Sequence, residues 1–145
     1  MKPTPSAGRW PWLLLALLLV PVATHASDPQ IAANRIVVYY FHTTYRCASC
    51  QKIEAYTHEA VATSFAADIE KGRVVWKLVN TDEKPNAHFV KDYKLYTKSV
   101  VLSEEINGEQ QRWKNLPRVW ELLGDKPGFL LYIQEETAAY LTELP

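Results

Sequence analysis

The chain has 145 residues, 48% of them hydrophobic, 12% aromatic and 22% charged, with nine prolines, five glycines and two cysteines. That length and apolar content suit one globular domain and exclude a two-domain enzyme, a collagen-like repeat and a long disordered chain. Sixteen Lys and Arg balance sixteen Asp and Glu, so the net charge is zero and bulk electrostatics offers nothing to nucleic acid.

Residues 1–26 differ from the rest. Lys2 and Arg9 give a basic start, residues 12–20 form an apolar run, and Pro21 with a small-residue stretch through Ala26 closes it. This is the order of a secretory signal peptide cleaved after Ala26. Counted generously, the run covers the 14 residues 10–23, against the roughly 20 that a helix needs to cross the hydrocarbon core. Retained instead of cleaved, it would anchor the chain to a membrane by its N-terminus. Cleavage leaves 14 basic against 16 acidic residues, a net charge of −2 over 119 residues. The expected division is a signal peptide at 1–26 and one domain at 27–145. The expected setting is periplasmic or extracellular, where a disulfide persists.

The nearly continuous apolar run 36–41 predicts a central strand covered on both faces. Residues 42–46 interrupt it, and Cys47 opens a segment through Ile69. Within that segment Ile53, Tyr56, Ala60, Val61, Phe65 and Ile69 recur at helical steps. Residues 74–80 predict a second strand, 81–85 a turn and 86–93 a short helix. Residues 99–103 predict a third strand, Asn107-Gly108 a tight hairpin and 110–113 the returning strand. A short helical stretch at 116–123 and a terminal helix at 126–144, with Pro127 in its first turn, complete the chain. A strand, helix and strand of this length predict a right-handed crossover between parallel strands. With the hairpin, the expectation is an α/β domain with a mixed four-stranded sheet and helices on both faces. Phe41, Phe65, Trp76, Leu78, Val101, Trp120 and Ile133 are its expected core, while Lys71, Arg73, Glu104 and Glu105 read as solvated charges.

The sharpest local signal is Cys47-Ala48-Ser49-Cys50 at the start of the long helix. A disulfide closing so small a loop restricts the unfolded chain by only roughly 2 kcal/mol, so it is a poor staple. Unpaired N–H groups in a first helical turn, however, favour a thiolate at Cys47. Cys50, deeper in the turn, would resolve the mixed disulfide that attack by Cys47 creates. Tyr45 and Arg46 stand at the entrance, where Arg46 would favour a nearby thiolate. Two further readings stay open. Cys47, Cys50 and His42 could hold or transfer a soft metal ion, although two thiolates supply only half of a tetrahedral shell. Alternatively, the bond is structural in a noncatalytic interaction domain. His58 and His88 have weaker claims to chemistry, and Trp113 is a less certain core residue than Trp76 or Trp120.

With this segment order and motif placement, residues 36–145 resemble the thioredoxin-like superfamily. The resemblance is carried by the strand before Cys47 and Cys50, by Lys77-Leu78-Val79-Asn80 ending in Thr81-Asp82, and by Ser99-Val100-Val101-Leu102 feeding Asn107-Gly108. It implies Cys47 as attacking thiol, Cys50 as resolving thiol and Lys77 as a lysine beneath the pair. It also implies thiol-disulfide oxidoreductase chemistry with a protein thiol or disulfide partner, and no organic cofactor. Three departures limit what carries over. Arg46-Cys47-Ala48-Ser49-Cys50 replaces the usual aromatic, Cys, Gly, Pro, Cys; Phe41 stands where the family often buries an acid; and Lys98-Ser99 lacks the proline that normally faces the disulfide. An electron relay to one specialised partner, or a domain that only retains the fold, fits those departures better than general reduction.

Overall fold

The β-branched and aromatic run after Arg35 forms β1 (Asn34–His42), buried at every residue from Ile36 onward. Its position in the sheet explains that burial. β1 pairs in parallel with β2 (Val74–Asn80) and antiparallel with β3 (Ser99–Ile106), and β4 (Glu109–Asn115) adds antiparallel to β3. The resulting order is β2-β1-β3-β4. This computed structural model describes residues 34–145, so the expected signal segment lies outside the described residues.

Alternation along β1 sends Ile36, Val38 and Tyr40 to one face and Val37, Tyr39 and Phe41 to the other. α1 (Ala48–Ser64) and α4 (Lys126–Thr142) cover the first face, where Ile53, Val61, Phe129 and Ile133 join the core. α1 buries Cys50, Ile53, Thr57, Ala60 and Val61, the three-and-four spacing that makes one helical side apolar. α3 (His88–Asp92) and the adjoining Tyr93 lie over the second face, packing Phe89 and Tyr93 at tilted ring angles against Tyr39 and Phe41. The fold is the expected thioredoxin-like mixed four-stranded sheet with helices on both faces. No helix among the described residues is long and apolar enough to cross a membrane.

The expected helix 47–69 is broken. Phe65 leaves helical geometry at φ −123°, and α2 (Ala66–Glu70) follows. The Phe65 side chain is buried while its N–H still reaches the Val61 carbonyl at 3.0 Å, so one aromatic anchor ends α1 and redirects the chain. The helix expected at 86–93 is shortened to α3, preceded by a 3-10 turn at Lys84–Asn86. The stretch 116–123 is two 3-10 turns, Pro117–Val119 and Glu121–Gly124. Three core assignments also change. Leu78 is 45% exposed because β2 is an edge strand, and Trp76 and Trp120 are only partly buried. Glu104 is not solvated: it is 7% exposed on the inner strand β3 and accepts from Arg112 Nε at 2.7 Å. Arg112 in turn lies 4.2 Å from the Tyr140 ring centroid and pairs with Glu143, tying the end of α4 to the sheet.

Asn107 and Gly108 adopt φ +53° and +83°, as a type I′ hairpin between paired Ile106 and Glu109 requires. A Cβ at Gly108 meets no neighbouring atom, so replacement tests backbone conformation alone. Gly108→Ala is expected to lower stability by about 1 kcal/mol. Urea unfolding should show an earlier midpoint at unchanged slope; an unchanged midpoint would contradict the strained conformation.

Candidate redox site at the start of α1

β1 delivers the chain to the C-terminal end of the parallel strand pair, and after five intervening residues α1 begins at Ala48. Cys47 is the N-cap, with extended φ/ψ of −79° and 162°. It is joined to Cys50 by a disulfide across a Cα separation of 5.0 Å. Cys50 is fully buried, whereas Cys47 is partly exposed. The Cys47 sulfur accepts the Cys50 backbone N–H at 3.2 Å, so it occupies the place of a capping oxygen among unpaired first-turn amides. Negative charge on that sulfur is favoured by those amides and the helix dipole. No acidic residue lies in the first turn to oppose it.

Beneath this turn stands Tyr40, fully buried, whose hydroxyl donates to the Cys50 carbonyl at 2.8 Å. The Arg46 guanidinium lies 5.9 Å from the Tyr40 ring centroid and forms an ion pair with Glu54 of α1. Arg46 therefore does not face Cys47 as a free cation, because a carboxylate one helical turn beyond Cys50 holds it. Sequence reading missed Tyr40 and Glu54. Tyr40 read as one more apolar strand residue, although its parity with Val38 places it on the side that α1 must cover.

Burial pushes the Tyr40 hydroxyl up to about 12, opposed in part by Arg46, and burial likewise raises Tyr39 and Tyr93. In the unfolded chain a tyrosine ionises near pH ~10. Above that pH the unfolded chain has released protons that the folded chain retains, so stability falls as pH rises. The urea midpoint is expected to hold between about pH 7 and 9 and to fall progressively above about pH 10. A midpoint constant to pH ~11.5 would contradict the burial of these hydroxyls.

Two loops frame the turn. The Thr44 N–H donates to Asp82 at 2.8 Å, and Asn80 Nδ2 donates to the Thr44 hydroxyl at 3.1 Å. The Thr81 N–H and hydroxyl both donate to the His42 carbonyl, at 2.8 and 3.0 Å. The segment entering Cys47 is thus pinned to the loop after β2. Beside it lies a cleft of about 310 Å³ lined by Phe41, His42, Thr43, Leu95, Tyr96 and Lys98, among others. Tyr96 is 97% exposed at this rim, and Tyr45, two residues before Cys47, is 76% exposed.

The remaining candidates disperse. His42 is buried, and its Nδ1 lies 2.9 Å from the Thr43 carbonyl. Lys77 is exposed, with its ammonium 5.6 Å from the Tyr39 ring centroid; register places it on the Tyr39 face, opposite α1. Phe41 is packed among Tyr39, Phe89 and Tyr93. His58 is exposed on α1 near Trp76, and His88 pairs with Asp92 at 2.7 Å. Trp113 is partly buried, edge-on to Tyr93. Among the described residues, no three His, Cys, Asp or Glu side chains gather as a metal site.

No family model matches the chain, and no curated protein matches it. Among solved structures it is similar to oxidized thioredoxin O2 from Arabidopsis thaliana, at 15% identity and a TM-score of 0.41, over 66% of this chain and 76% of that one. The fold class rests on the strand order and register described above. Within that fold, a disulfide at a helix start between a partly exposed Cys47 and a buried Cys50 supports a general thiol-disulfide redox role.

Proposed function

We propose that this protein is an exported thiol-disulfide exchange protein that passes electrons to or from a protein partner through Cys47 and Cys50. The observation that carries this reading is the position of Cys47, a partly exposed N-cap whose sulfur accepts a backbone N–H. In the reducing direction, the Cys47 thiolate attacks one sulfur of a partner disulfide, forms a mixed disulfide and expels a partner thiolate, which takes up a proton. Cys50 then loses its proton to solvent and attacks Cys47, expelling the second partner thiolate, which is protonated in turn. Two electrons and two protons pass to the partner, and the Cys47–Cys50 disulfide remains. The reverse sequence oxidises a partner dithiol.

A protein partner fits the exposed Tyr45 and Tyr96, aromatic surface of the kind enriched in protein interfaces. Lys77 enters as a solvent-screened charge, so Lys77→Ala should change exchange rates by less than about threefold. Export rests on the order of residues 1–26 and on the persistence of disulfides outside the cytosol. Mass analysis of exported protein is expected to find Ser27 at its N-terminus; full-length chain in the membrane fraction would favour retention as an anchor.

Equilibration of the mature protein with defined glutathione buffers, followed by thiol alkylation and mass analysis, tests the chemistry. Reversible interconversion between dithiol and disulfide is expected. A bond that resists exchange across biological redox potentials would overturn the proposal and leave a structural disulfide. Stoichiometric metal retention lost on replacing either cysteine would favour the metal-binding alternative.

A further inference from the structure

We propose that Tyr40 is a positioning residue for this exchange, holding the Cys50 backbone so that the Cys50 N–H stays aimed at the Cys47 sulfur after the disulfide opens. The inference rests on the exchange reading above. Tyr40 makes no hydrogen bond to either sulfur; its hydroxyl reaches the Cys50 carbonyl at 2.8 Å from a fully buried position. That carbonyl belongs to α1 and has an intrahelical acceptor role already, so the tyrosine is not needed to satisfy it. What the second bond adds is direction. The same peptide-bearing residue donates its own N–H to Cys47 at 3.2 Å, so fixing Cys50 fixes the donor at the nucleophile.

The residue on the other side of Cys47 is tied to the same ring. Arg46 lies 5.9 Å from the Tyr40 centroid, restrained by Glu54. Both flanks of the nucleophile are therefore referenced to one buried aromatic on the central strand. In the oxidised protein the covalent bond also holds the turn closed. Once that bond is cleaved, the Tyr40 anchor is what keeps the turn in its charge-stabilising geometry, so its contribution falls mainly on the dithiol form.

Tyr40→Phe keeps the ring and removes the hydroxyl. Loss of one such hydrogen bond in the dithiol form is expected to slow Cys47 alkylation by about two- to tenfold and to shift the glutathione equilibrium by a similar factor toward the disulfide. At 29.6 mV per tenfold for a two-electron couple, the potential becomes about 10 to 30 mV more negative. Tyr140→Phe serves as control, because Tyr140 is also buried in this core with an arginine over its ring but belongs to α4. It should change neither quantity. Equal effects of the two variants, or no effect of Tyr40→Phe, would reduce Tyr40 to ordinary packing while leaving the exchange reading intact. If Tyr40→Phe does not fold, amide hydrogen exchange on the wild-type protein decides. The Cys50 amide is expected to stay protected on reduction, and a rise of more than about tenfold would overturn the inference. Failure of wild-type protein to interconvert in glutathione would instead reject the exchange reading itself.

Discussion

Cys50→Ser is expected to leave a folded protein that attacks a partner disulfide but does not release it. The remaining Cys47 keeps its N-cap position, so the mixed disulfide forms; without the resolving thiol, it persists. Cys47→Ser should lower exchange by on the order of a hundredfold or more, because the chain has only two cysteines and Cys50 is fully buried. Loss of the bond in either variant should cost no more than roughly 2 kcal/mol, since the closed loop is so short. Non-reducing electrophoresis after incubation with a disulfide-bearing substrate would show the trapped adduct with Cys50→Ser and none with Cys47→Ser. Trapping by Cys47→Ser instead would exchange the two roles.

Phe129→Ala should be among the most destabilising single substitutions in the chain, costing about 3–5 kcal/mol. Phe129 is fully buried at the start of α4 and meets Tyr56 of α1 edge-on at 5.4 Å between centroids. Truncation opens a cavity between the helix that carries the disulfide and the helix that braces it, in a close-packed core. Urea unfolding at neutral pH gives the magnitude. A loss below about 1 kcal/mol would mean that α4 does not brace α1 through this residue.

Local chemistry made much of this fold legible. The run 74–80 became β2 with the same bounds, and Asn107-Gly108 became a hairpin because two adjacent residues must accept positive φ. Phe65 was harder: an aromatic at a helical step looks the same whether it continues a helix or ends one. Leu78 carried the apolarity of a core residue, and only strand order shows that it stands on an edge. Glu104 looked solvated because its partner Arg112 comes from the neighbouring strand across the hairpin, and that arginine's second partner, Glu143, from just after α4.

At the site, the two cysteines were readable from their spacing and position, whereas their supports were not. Tyr40 lies ten residues before Cys50, and Glu54 lies eight after Arg46. Neither distance follows a secondary-structure period, since Tyr40 precedes the turn from strand to helix and Arg46 lies within it. The Thr44 contacts with Asn80 and Asp82 require the parallel pairing of β1 and β2 before they exist at all.

The most direct measurement compares iodoacetamide alkylation of Cys47 at pH 7 in the reduced folded protein and in the same chain unfolded in urea. Thiolate stabilisation by the first-turn amides should make the native sulfur the faster one, despite its partial burial. A native rate equal to or below the unfolded rate would contradict an activated Cys47.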